Sequence, residues 1–322
     1  MADPILRVTG LTMHYRTRQG EVKAVDGVSF DLERGQVLGL VGESGCGKTS
    51  VAMSLMKLLP DNASLKGGQV LLDGQDLVPM GEDELRRYRG RRIAMIFQAA
   101  MNSLDPVYRV GDQIVEAVEA HGLDKRRAET RQRVERLFTM VGLDPGLADR
   151  YPHELSGGMR QRAVIAMALS CEPDVIIADE PTTALDVIVQ DRILRELKEI
   201  QRNLNMSLIY ITHDIGVVAE VTDRIGVMYA GRLVELGDTR GIFNNPIHPY
   251  TAALMSAFPS IRGEKRPLSV LAGEPPNLID PPKGCRFHPR CPRATEVCSQ
   301  EEPPIVSRGE HWAACWNPLG SG

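Results

Sequence analysis

The chain has 322 residues, of which 43% are hydrophobic and 25% charged, and its formal net charge is −4. This is the composition of a soluble globular protein, and the lack of net positive charge argues against nucleic acid as a partner. The N-terminus lacks a signal-peptide pattern, and no apolar run approaches the roughly 18 residues that span a bilayer. We expect a cytosolic chain with a large α/β domain and an appendage. A cytosolic chain can still bind a membrane-embedded partner.

Residues 5–41 predict a β-hairpin followed by a buried strand. "ILRVTGLTMHY" and "VKAVDGVSFDL" alternate apolar and polar residues, and "RTRQGE" lies between them as a turn. "QVLGLVG" is apolar throughout, which is typical of a central parallel strand. After Gly47, "KTSVAMSLMKLL" predicts a helix that Pro60 closes.

The rest of the chain predicts a helical insertion, a return to strands, and an extension. The pattern is helical over residues 99–171, and strands resume with "DVIIADE", "SLIYITHD" and "DRIGVMYAG". Alternating strands and helices predict a mostly parallel sheet with helices on both faces. Prolines become frequent beyond Pro259, so we expect one domain over residues 1–259 and a C-terminal extension over 260–322.

"GESGCGKTS", Gly42 to Ser50, has the spacing of a phosphate-binding loop between a strand and a helix. Glycines let backbone N–H groups turn towards a phosphate, and the helix N-terminus adds a favourable dipole. Lys48 would reach the β- and γ-phosphates, and the Thr49 hydroxyl would ligate Mg²⁺. The alternative is an ordinary glycine turn before a helix.

A carboxylate pair ends the strand "DVIIADE". Asp179 is placed to hold Mg²⁺, and Glu180 to polarise an attacking water. Two solvated acids after a buried strand are the alternative. No N-K-x-D element for guanine is present, which disfavours a GTPase.

"LSGGMRQR", Leu155 to Arg162, opens a helix about 110 residues after the loop. Ser156 and two glycines at a helix start form a second anion-binding N-terminus, or else a plain N-cap followed by a loop. The phosphate-binding loop upstream favours the anion site.

Together, "GESGCGKT", "LSGGMRQR" and "DVIIADEPTTALD" resemble the nucleotide-binding subunits of ABC transporters. "MIFQAAMNSLDP" and "NPIHPYTAALMSAFP" narrow the resemblance to the oligopeptide/dipeptide group, over nearly the whole chain. The resemblance implies an α/β fold: a P-loop ABC-type domain with a mostly parallel sheet, an antiparallel β-subdomain and a helical subdomain, followed by the cysteine-containing extension.

The resemblance also implies roles for single residues. Gln98 matches the glutamine that contacts Mg²⁺ and the attacking water, Glu180 the general base, and His213 the histidine that senses the γ-phosphate, although a core histidine is the alternative. Tyr15 matches the aromatic that stacks on adenine, unless it is a strand-surface tyrosine. The implied ATP-binding residues are Tyr15, Gly42, Ser44, Gly45, Cys46, Gly47, Lys48, Thr49 and Ser50; those acting on a partner's ATP are Ser156, Gly157, Gly158 and Gln161, with Asp186 in the D-loop.

The chain has one P-loop and one copy of the motif "LSGGMRQR", which is called the signature. In this family the signature completes the ATP site of the opposite subunit. The resemblance therefore implies a dimer, with a related second ATPase or a second copy of the chain. It further implies two transmembrane permease subunits, an extracellular substrate-binding protein, and a peripheral position on the cytoplasmic face of the membrane. Substrate chemistry would lie in those other chains.

Two other classes of protein remain as rivals. A soluble ABC ATPase in DNA repair or translation would usually carry a coiled-coil insertion or two cassettes, and this sequence has neither. A regulatory or metal-binding module would need a damaged catalytic set, yet Lys48, Asp179, Glu180 and His213 are all present.

Cysteines are concentrated in the extension, at Cys285, Cys291, Cys298 and Cys315. Structural disulfides are disfavoured in a reduced compartment, and unrelated thiols are a second alternative. Zinc sites usually show closely paired cysteines, whereas wider spacing suits a 4Fe–4S cluster. The extension resembles that of oligopeptide/dipeptide ATPases in which such a cluster occurs, so the resemblance implies iron–sulfur, with zinc as the alternative and His288 and His311 as bystanders. The cluster lies too far along the chain from the P-loop motifs to be assigned a catalytic part, so we expect a structural or redox-sensing role for it.

Cys46 stands where relatives often carry serine. Inward N–H groups, Lys48 and a helix N-terminus all favour the thiolate. We therefore expect Cys46 to be an unusually reactive thiol.

Overall fold

The computed structural model describes residues 3–98, 100–123, 126–182, 186–256 and 273–320. Its strands are β1 (Leu6–Thr17), β2 (Gly20–Leu32), β3 (Val37–Val41), β4 (Ala63–Leu72), β5 (Gln75–Asp76), β6 (Ile93–Ile96), β7 (Val175–Asp179), β8 (Ser207–Ile211), β9 (Arg224–Tyr229), β10 (Arg232–Asp238), β11 (Ile305–Arg308) and β12 (His311–Ala314). Its α-helices are α1 (Lys48–Leu55), α2 (Glu82–Tyr88), α3 (Val110–Ala120), α4 (Arg127–Met140), α5 (Gly157–Leu169), α6 (Val187–Leu204), α7 (Ile215–Val221), α8 (Thr239–Asn244), α9 (Pro249–Ser256) and α10 (Glu296–Gln300).

These elements form two compact units. The first unit comprises Met1–Leu32, Val37–Val78 and Ile211–Gly322, and the second comprises Glu33–Gln36 and Pro79–Tyr210. The boundary predicted near residue 260 lies outside the described residues and stays a prediction.

An antiparallel sheet in the first unit has the strand order β2-β1-β4-β5. The hairpin β1–β2 pairs Leu6 with Leu32 at its open end and Thr17 with Gly20 at the turn, which confirms the predicted hairpin. Apolar and polar residues alternate along β1, so every second side chain lies on the buried face; Leu6 and Val8 there are at most 2% exposed.

A second group of strands in the first unit has the order β11-β12-β10-β9-β3. All five residues of β3 are buried, and β3 pairs in parallel with β9, as its apolar run predicts. The helix after it is shorter than predicted, because Lys57 adopts a left-handed φ of 48°. Leu58 N–H donates to the Met53 carbonyl at 2.9 Å, a bond that closes a helix C-terminus before Pro60 is reached.

In the second unit, strands lie in the order β8-β7-β6, and β6 pairs in parallel with β7. Helices α3, α4 and α5 occupy the segment predicted to be helical. The buried residues of α3 include Val110, Ile114 and Val118, which share one face at a spacing of four.

The C-terminal extension joins the core of the first unit. Cys285, Phe287 and Cys298 lie in the same buried cluster as Val227 and Tyr229. The extension also adds β11 and β12 beside β10, strands that its proline-rich sequence does not predict. A segment too rich in proline for its own core therefore uses the core of its neighbour.

A buried carboxylate ties the extension to β10. Glu235 is 0% exposed and accepts hydrogen bonds from His311 Nε2 at 2.7 Å and His248 N–H at 2.8 Å. His248 is 1% exposed, and its Nδ1 accepts from Tyr250 N–H at 3.0 Å. Burial lowers the pKa of His248 to about 4.

Acidification is expected to destabilise the protein through His248. The unfolded histidine takes up a proton below its ordinary pKa of 6.5, whereas the buried ring stays neutral to about 4. The unfolded state then binds more protons, so the free energy of unfolding falls between these two values by up to about 1.4 kcal/mol per pH unit. His248→Asn removes this contribution in urea titrations across that range. The exposed His153→Asn is the control, and an unchanged slope in His248→Asn would contradict the assignment.

None of the helices that the structure describes combines the length and the hydropathy of a membrane-spanning segment.

Candidate nucleotide site

The P-loop of the first unit runs from the end of β3 to the start of α1. Gly42, Gly45 and Gly47 have positive φ angles of 149°, 76° and 106°. A Cβ at Gly42 would lie 2.2 Å from the Met228 carbonyl oxygen, and one at Gly47 would lie 2.1 Å from that of Ala24. The loop is thus wound tightly against neighbouring backbone, and glycine is required at both positions.

The ammonium group of Lys48 is held against this loop. Its Nζ donates to the carbonyl oxygens of Gly42 at 2.8 Å and Glu43 at 3.1 Å. Lys48 is 8% exposed, so its positive charge lies at the loop and is largely shielded from solvent. This arrangement is suited to binding a phosphate.

The other predicted P-loop residues divide by exposure. Ser44 and Thr49 are exposed, and the Thr49 hydroxyl lies at the N-terminus of α1. Ser50 is buried, and its Oγ lies 3.2 Å from the Tyr15 hydroxyl. Tyr15 is therefore brought beside the P-loop helix, and its stacking on adenine stays a prediction.

The predicted reactivity of Cys46 is wrong. Cys46 is 3% exposed, and burial raises the pKa of its thiol above the ordinary value. Lys48 Nζ lies 3.6 Å from the sulfur and favours the thiolate, as the sequence predicts. The cost of burying a charge exceeds that attraction, so the thiol stays protonated.

His213 follows β8 and precedes α7 in the first unit. Its side chain is exposed, and Asp214 caps the helix by accepting from Gly216 N–H at 3.0 Å. The strand–histidine–helix arrangement agrees with the predicted position, and the γ-phosphate contact stays a prediction.

In the second unit, Gln98 and Glu180 are in contact. Asp179 ends β7 and is 1% exposed, and Glu180 after it has a left-handed φ of 47°. Gln98 Nε2 donates to Glu180 Oε2 at 3.0 Å. The structure thus brings together the two residues predicted to act on the attacking water.

The signature and the D-loop also lie in the second unit. Ser156 caps α5 by accepting from Met159 N–H at 3.3 Å, and Asp186 caps α6 by accepting from Val189 N–H at 3.0 Å. Ser156 is exposed, with Gly157 and Gly158 half-buried after it. Gln161 is 2% exposed, so its contact with a partner's ATP stays a prediction without support from the geometry. The neighbouring residues 183–185 lie outside the described residues.

The four cysteines of the extension are neighbours. The pKa of Cys315 is raised to about 11, mainly by burial and in smaller part by the nearby Cys285, Cys291 and Cys298. Each sulfur accepts a hydrogen bond from a backbone N–H: Phe287 donates to Cys285, Arg293 to Cys291, Thr295 to Cys298 and Asn317 to Cys315. No group of three or more cysteine, histidine or acidic residues in the described part of the chain has metal-binding geometry.

Two residues of this site were missed at the sequence level. Glu43 occupies a variable position of the P-loop motif, and Arg290 belongs to no motif of the extension. Arg290 Nη1 lies 2.7 Å from Glu43 Oε2, across 247 positions of the chain. No short-range pattern could have predicted that pair.

Comparisons with known proteins agree with this arrangement. The ABC transporter family model matches residues 25–183, and the model of the oligopeptide/dipeptide transporter C-terminal region matches residues 234–298. The dipeptide transport ATP-binding protein DppD of Bacillus subtilis (strain 168) is 46% identical over 98% of this chain and 95% of its own. The oligopeptide transport ATP-binding protein OppD of Escherichia coli (strain K12) is 44% identical over 99% of this chain and 94% of its own.

Solved structures give the same fold. The dimeric structure of MJ0796, a bacterial ABC transporter cassette, has a TM-score of 0.66 and 27% identity, covering 73% of this chain and 99% of that one. A post-hydrolysis MJ0796 dimer bound to ADP and Pi has the same TM-score of 0.66 at 26% identity, and covers 73% of this chain and 99% of that one. The predicted fold class is confirmed, and the chain belongs to the ATP-binding subunits of ABC transporters, within the oligopeptide/dipeptide group.

Proposed function

We propose that this chain is the ATP-hydrolysing subunit of a peptide-importing ABC transporter. The observation that carries the proposal is near-full-length similarity to proteins named for dipeptide and oligopeptide transport. The tightly wound P-loop and the Gln98–Glu180 contact support the same activity. ATP would drive closure of an ATPase dimer and so reorient a membrane pore, and hydrolysis with phosphate release would reset the dimer.

The chemistry assigned to the site is attack of water on the γ-phosphorus of ATP. Glu180 accepts the proton of the attacking water, the bond to the β–γ bridging oxygen breaks, and ADP and phosphate leave. Gln98 orients the water and Glu180, Lys48 neutralises phosphate charge, and His213 contacts the γ-phosphate.

Oxygen donors on this chain fit Mg²⁺, which prefers carboxylate, hydroxyl and amide oxygens. Thr49, Gln98 and Asp179 would hold the ion. When bound, Mg²⁺ neutralises charge on the phosphate oxygens.

Association with other chains completes the proposal. One P-loop and one signature supply two half-sites, so the active form is a dimer, with a related ATPase as the expected partner and a second copy as the alternative. Two transmembrane permease subunits and an extracellular substrate-binding protein complete the importer. The chain would lie at the cytoplasmic face of the membrane, bound to those permeases.

Membrane copurification tests this function against a soluble ABC ATPase in DNA repair or translation. Tagged protein from native membranes solubilised in mild detergent should bring down two polytopic permeases at stoichiometric levels and hydrolyse ATP. Tagged protein that stays wholly soluble and associates with DNA-repair or ribosomal components would instead support the alternative.

The extension is proposed to hold a 4Fe–4S cluster through Cys285, Cys291, Cys298 and Cys315. The identity of the donors supports this proposal: three of the four neighbouring thiols are buried and Cys291 is half-buried. Each sulfur receives an N–H···S bond of the kind that supports thiolate ligands. Crowding of four negative sulfurs also disfavours the thiolates unless positive charge lies between them. Zinc is the alternative, and the cluster's role would be structural or redox-sensing.

Metal content is expected to depend on these cysteines. Anaerobically purified protein should be brown, absorb broadly at about 400 nm and contain about four irons per chain. Cys291→Ser should lose the iron, whereas Cys171→Ala, which removes a buried cysteine outside the extension, should keep it. Colourless protein with a single zinc would replace iron–sulfur by zinc, and well-folded protein without metal would contradict both.

A further inference from the structure

The extension reaches the P-loop through an arginine. Both oxygens of the Glu43 carboxylate are bound by the Arg290 guanidinium, with Nη1–Oε2 at 2.7 Å and Nη2–Oε1 at 2.9 Å. The Arg290 side chain is only 6% exposed and that of Glu43 23%. A two-pronged ion pair with little exposure to water is among the stronger polar contacts in proteins.

Glu43 is also fixed by its backbone. Its N–H donates to the Tyr250 hydroxyl at 3.0 Å, and its carbonyl accepts from Lys48 Nζ at 3.1 Å. Arg290, Tyr250 and Lys48 therefore define both the direction of this side chain and the path of the loop beginning at Gly42.

Arg290 is itself held rigidly. It ends a short 3₁₀ turn, His288–Arg290, immediately before Cys291. Its Nη1 donates to the Tyr229 hydroxyl at 3.2 Å, and its guanidinium carbon lies 5.8 Å from the centre of the Tyr229 ring. Phe287, three residues earlier, packs edge-on against the same ring at 5.2 Å.

A second arginine anchors the other side of this segment. Arg286 is 6% exposed, donates to the Ala230 carbonyl at 2.5 Å and pairs with Asp26. Arg286 follows Cys285 as Arg290 precedes Cys291. Residues next to two of the four cysteines thus contact the P-loop at Glu43 and the β9–β10 turn at Ala230.

The electrostatic consequence concerns the triphosphate. A carboxylate in the second position of a phosphate-binding loop repels the phosphates unless a cation balances it. The Arg290 guanidinium supplies that charge, and in this partly buried setting the interaction is weakly screened.

We propose that Arg290 is a positioning residue of the ATP site, which neutralises Glu43 and fixes the first turn of the P-loop. It acts on ATP through Glu43 and has no contact with the reacting atoms. The docked extension is then a condition for tight ATP binding. The inference rests on the proposed ATP-binding function and assigns the extension a part in it.

Three variants test the proposal: Arg290→Gln, Glu43→Gln, and the two combined. Binding of a fluorescent ATP analogue with Mg²⁺ gives the affinity, steady-state hydrolysis gives KM and kcat, and thermal unfolding without nucleotide reports the fold. Arg290→Gln should weaken binding by about ten-fold, the size expected for losing a charged hydrogen-bonded pair. The loss should be in KM, with kcat little changed.

The double variant separates electrostatics from structure. Removing the Glu43 charge abolishes the repulsion, so Glu43→Gln/Arg290→Gln should recover most of the affinity lost in Arg290→Gln. Arg290→Lys, which keeps the charge without the two-pronged geometry, should fall between Arg290→Gln and the wild type. Arg240→Gln, which changes an exposed arginine of α8 in the same unit, should bind ATP as the wild type does.

The proposal is overturned by two results. One is wild-type affinity in Arg290→Gln. The other is a double variant that binds as weakly as Arg290→Gln, which would mean a structural role alone. If Arg290→Gln does not fold, the ATP affinity of Glu43→Gln decides. An affinity equal to or above that of the wild type supports charge balance, and a weaker affinity refutes it. Failure of the wild-type chain to bind ATP would instead refute the proposed function.

Discussion

Replacing Glu180 by glutamine is expected to leave ATP bound and to slow its hydrolysis by about 10²–10⁴-fold, the usual contribution of a general base. Glu180 accepts a hydrogen bond from Gln98 Nε2 at 3.0 Å, and a glutamine amide can occupy the same space without accepting the water's proton. ATP affinity should survive because the residue lies outside the P-loop. Single-turnover hydrolysis and nucleotide binding separate the two quantities.

A matched control is Glu172→Gln. Glu172 also has a left-handed backbone, with a φ of 53°, but it is exposed and pairs with Arg133 at 2.7 Å. Since the chemical change is the same, Glu172→Gln should hydrolyse ATP at the wild-type rate. Near-normal hydrolysis in Glu180→Gln would remove Glu180 from the role of base.

The sequence predicts the local parts of this site well. The glycine spacing in "GESGCGKTS" predicts the loop for a physical reason: Gly42 and Gly47 occupy positions where a Cβ would collide with backbone. Apolar runs likewise predict β3 and β7, whose residues are buried throughout. In each case the cause lies within a few residues of the pattern.

Quantities that depend on packing are predicted less well. The sequence around Cys46 shows three influences that favour a thiolate, but not that its side chain would be 3% exposed. It shows Pro60 as a helix terminator, but not the left-handed Lys57 that ends α1 earlier. Burial and backbone strain depend on how the whole unit packs, so a short stretch of sequence does not predict them.

Contacts between distant segments are the hardest to predict. Arg290 and Glu43 are 247 positions apart, and neither stands in a periodic pattern that could place it against the other. Because the four cysteines lie far along the chain from the P-loop, the sequence predicts no catalytic part for their cluster and gives no sign of a contact by Arg290. The folded chain places the two segments in one unit, where their side chains form an ion pair.

Replacing Gly47 by alanine is expected to abolish measurable ATP binding, a loss of more than about 100-fold. The new Cβ would lie 2.1 Å from the Ala24 carbonyl oxygen and 3.4 Å from Met228 Cε, so the loop or strand β2 must move. Gly47 is also the N-cap of α1, with a φ of 106°. A shift there displaces Lys48 and the N-terminal N–H groups that are expected to face the phosphates.

Gly45→Ala separates steric collision from backbone strain. Gly45 has a φ of 76°, so alanine costs about 1–2 kcal/mol there as well. A Cβ at Gly45 would meet nothing within 4 Å. Gly45→Ala should therefore bind ATP more weakly than the wild type yet measurably, with a folded structure preserved in both variants by circular dichroism. Equal affinities for Gly45→Ala and Gly47→Ala would mean that the close approach of Ala24 does not constrain the loop, and that φ strain alone sets the requirement for glycine.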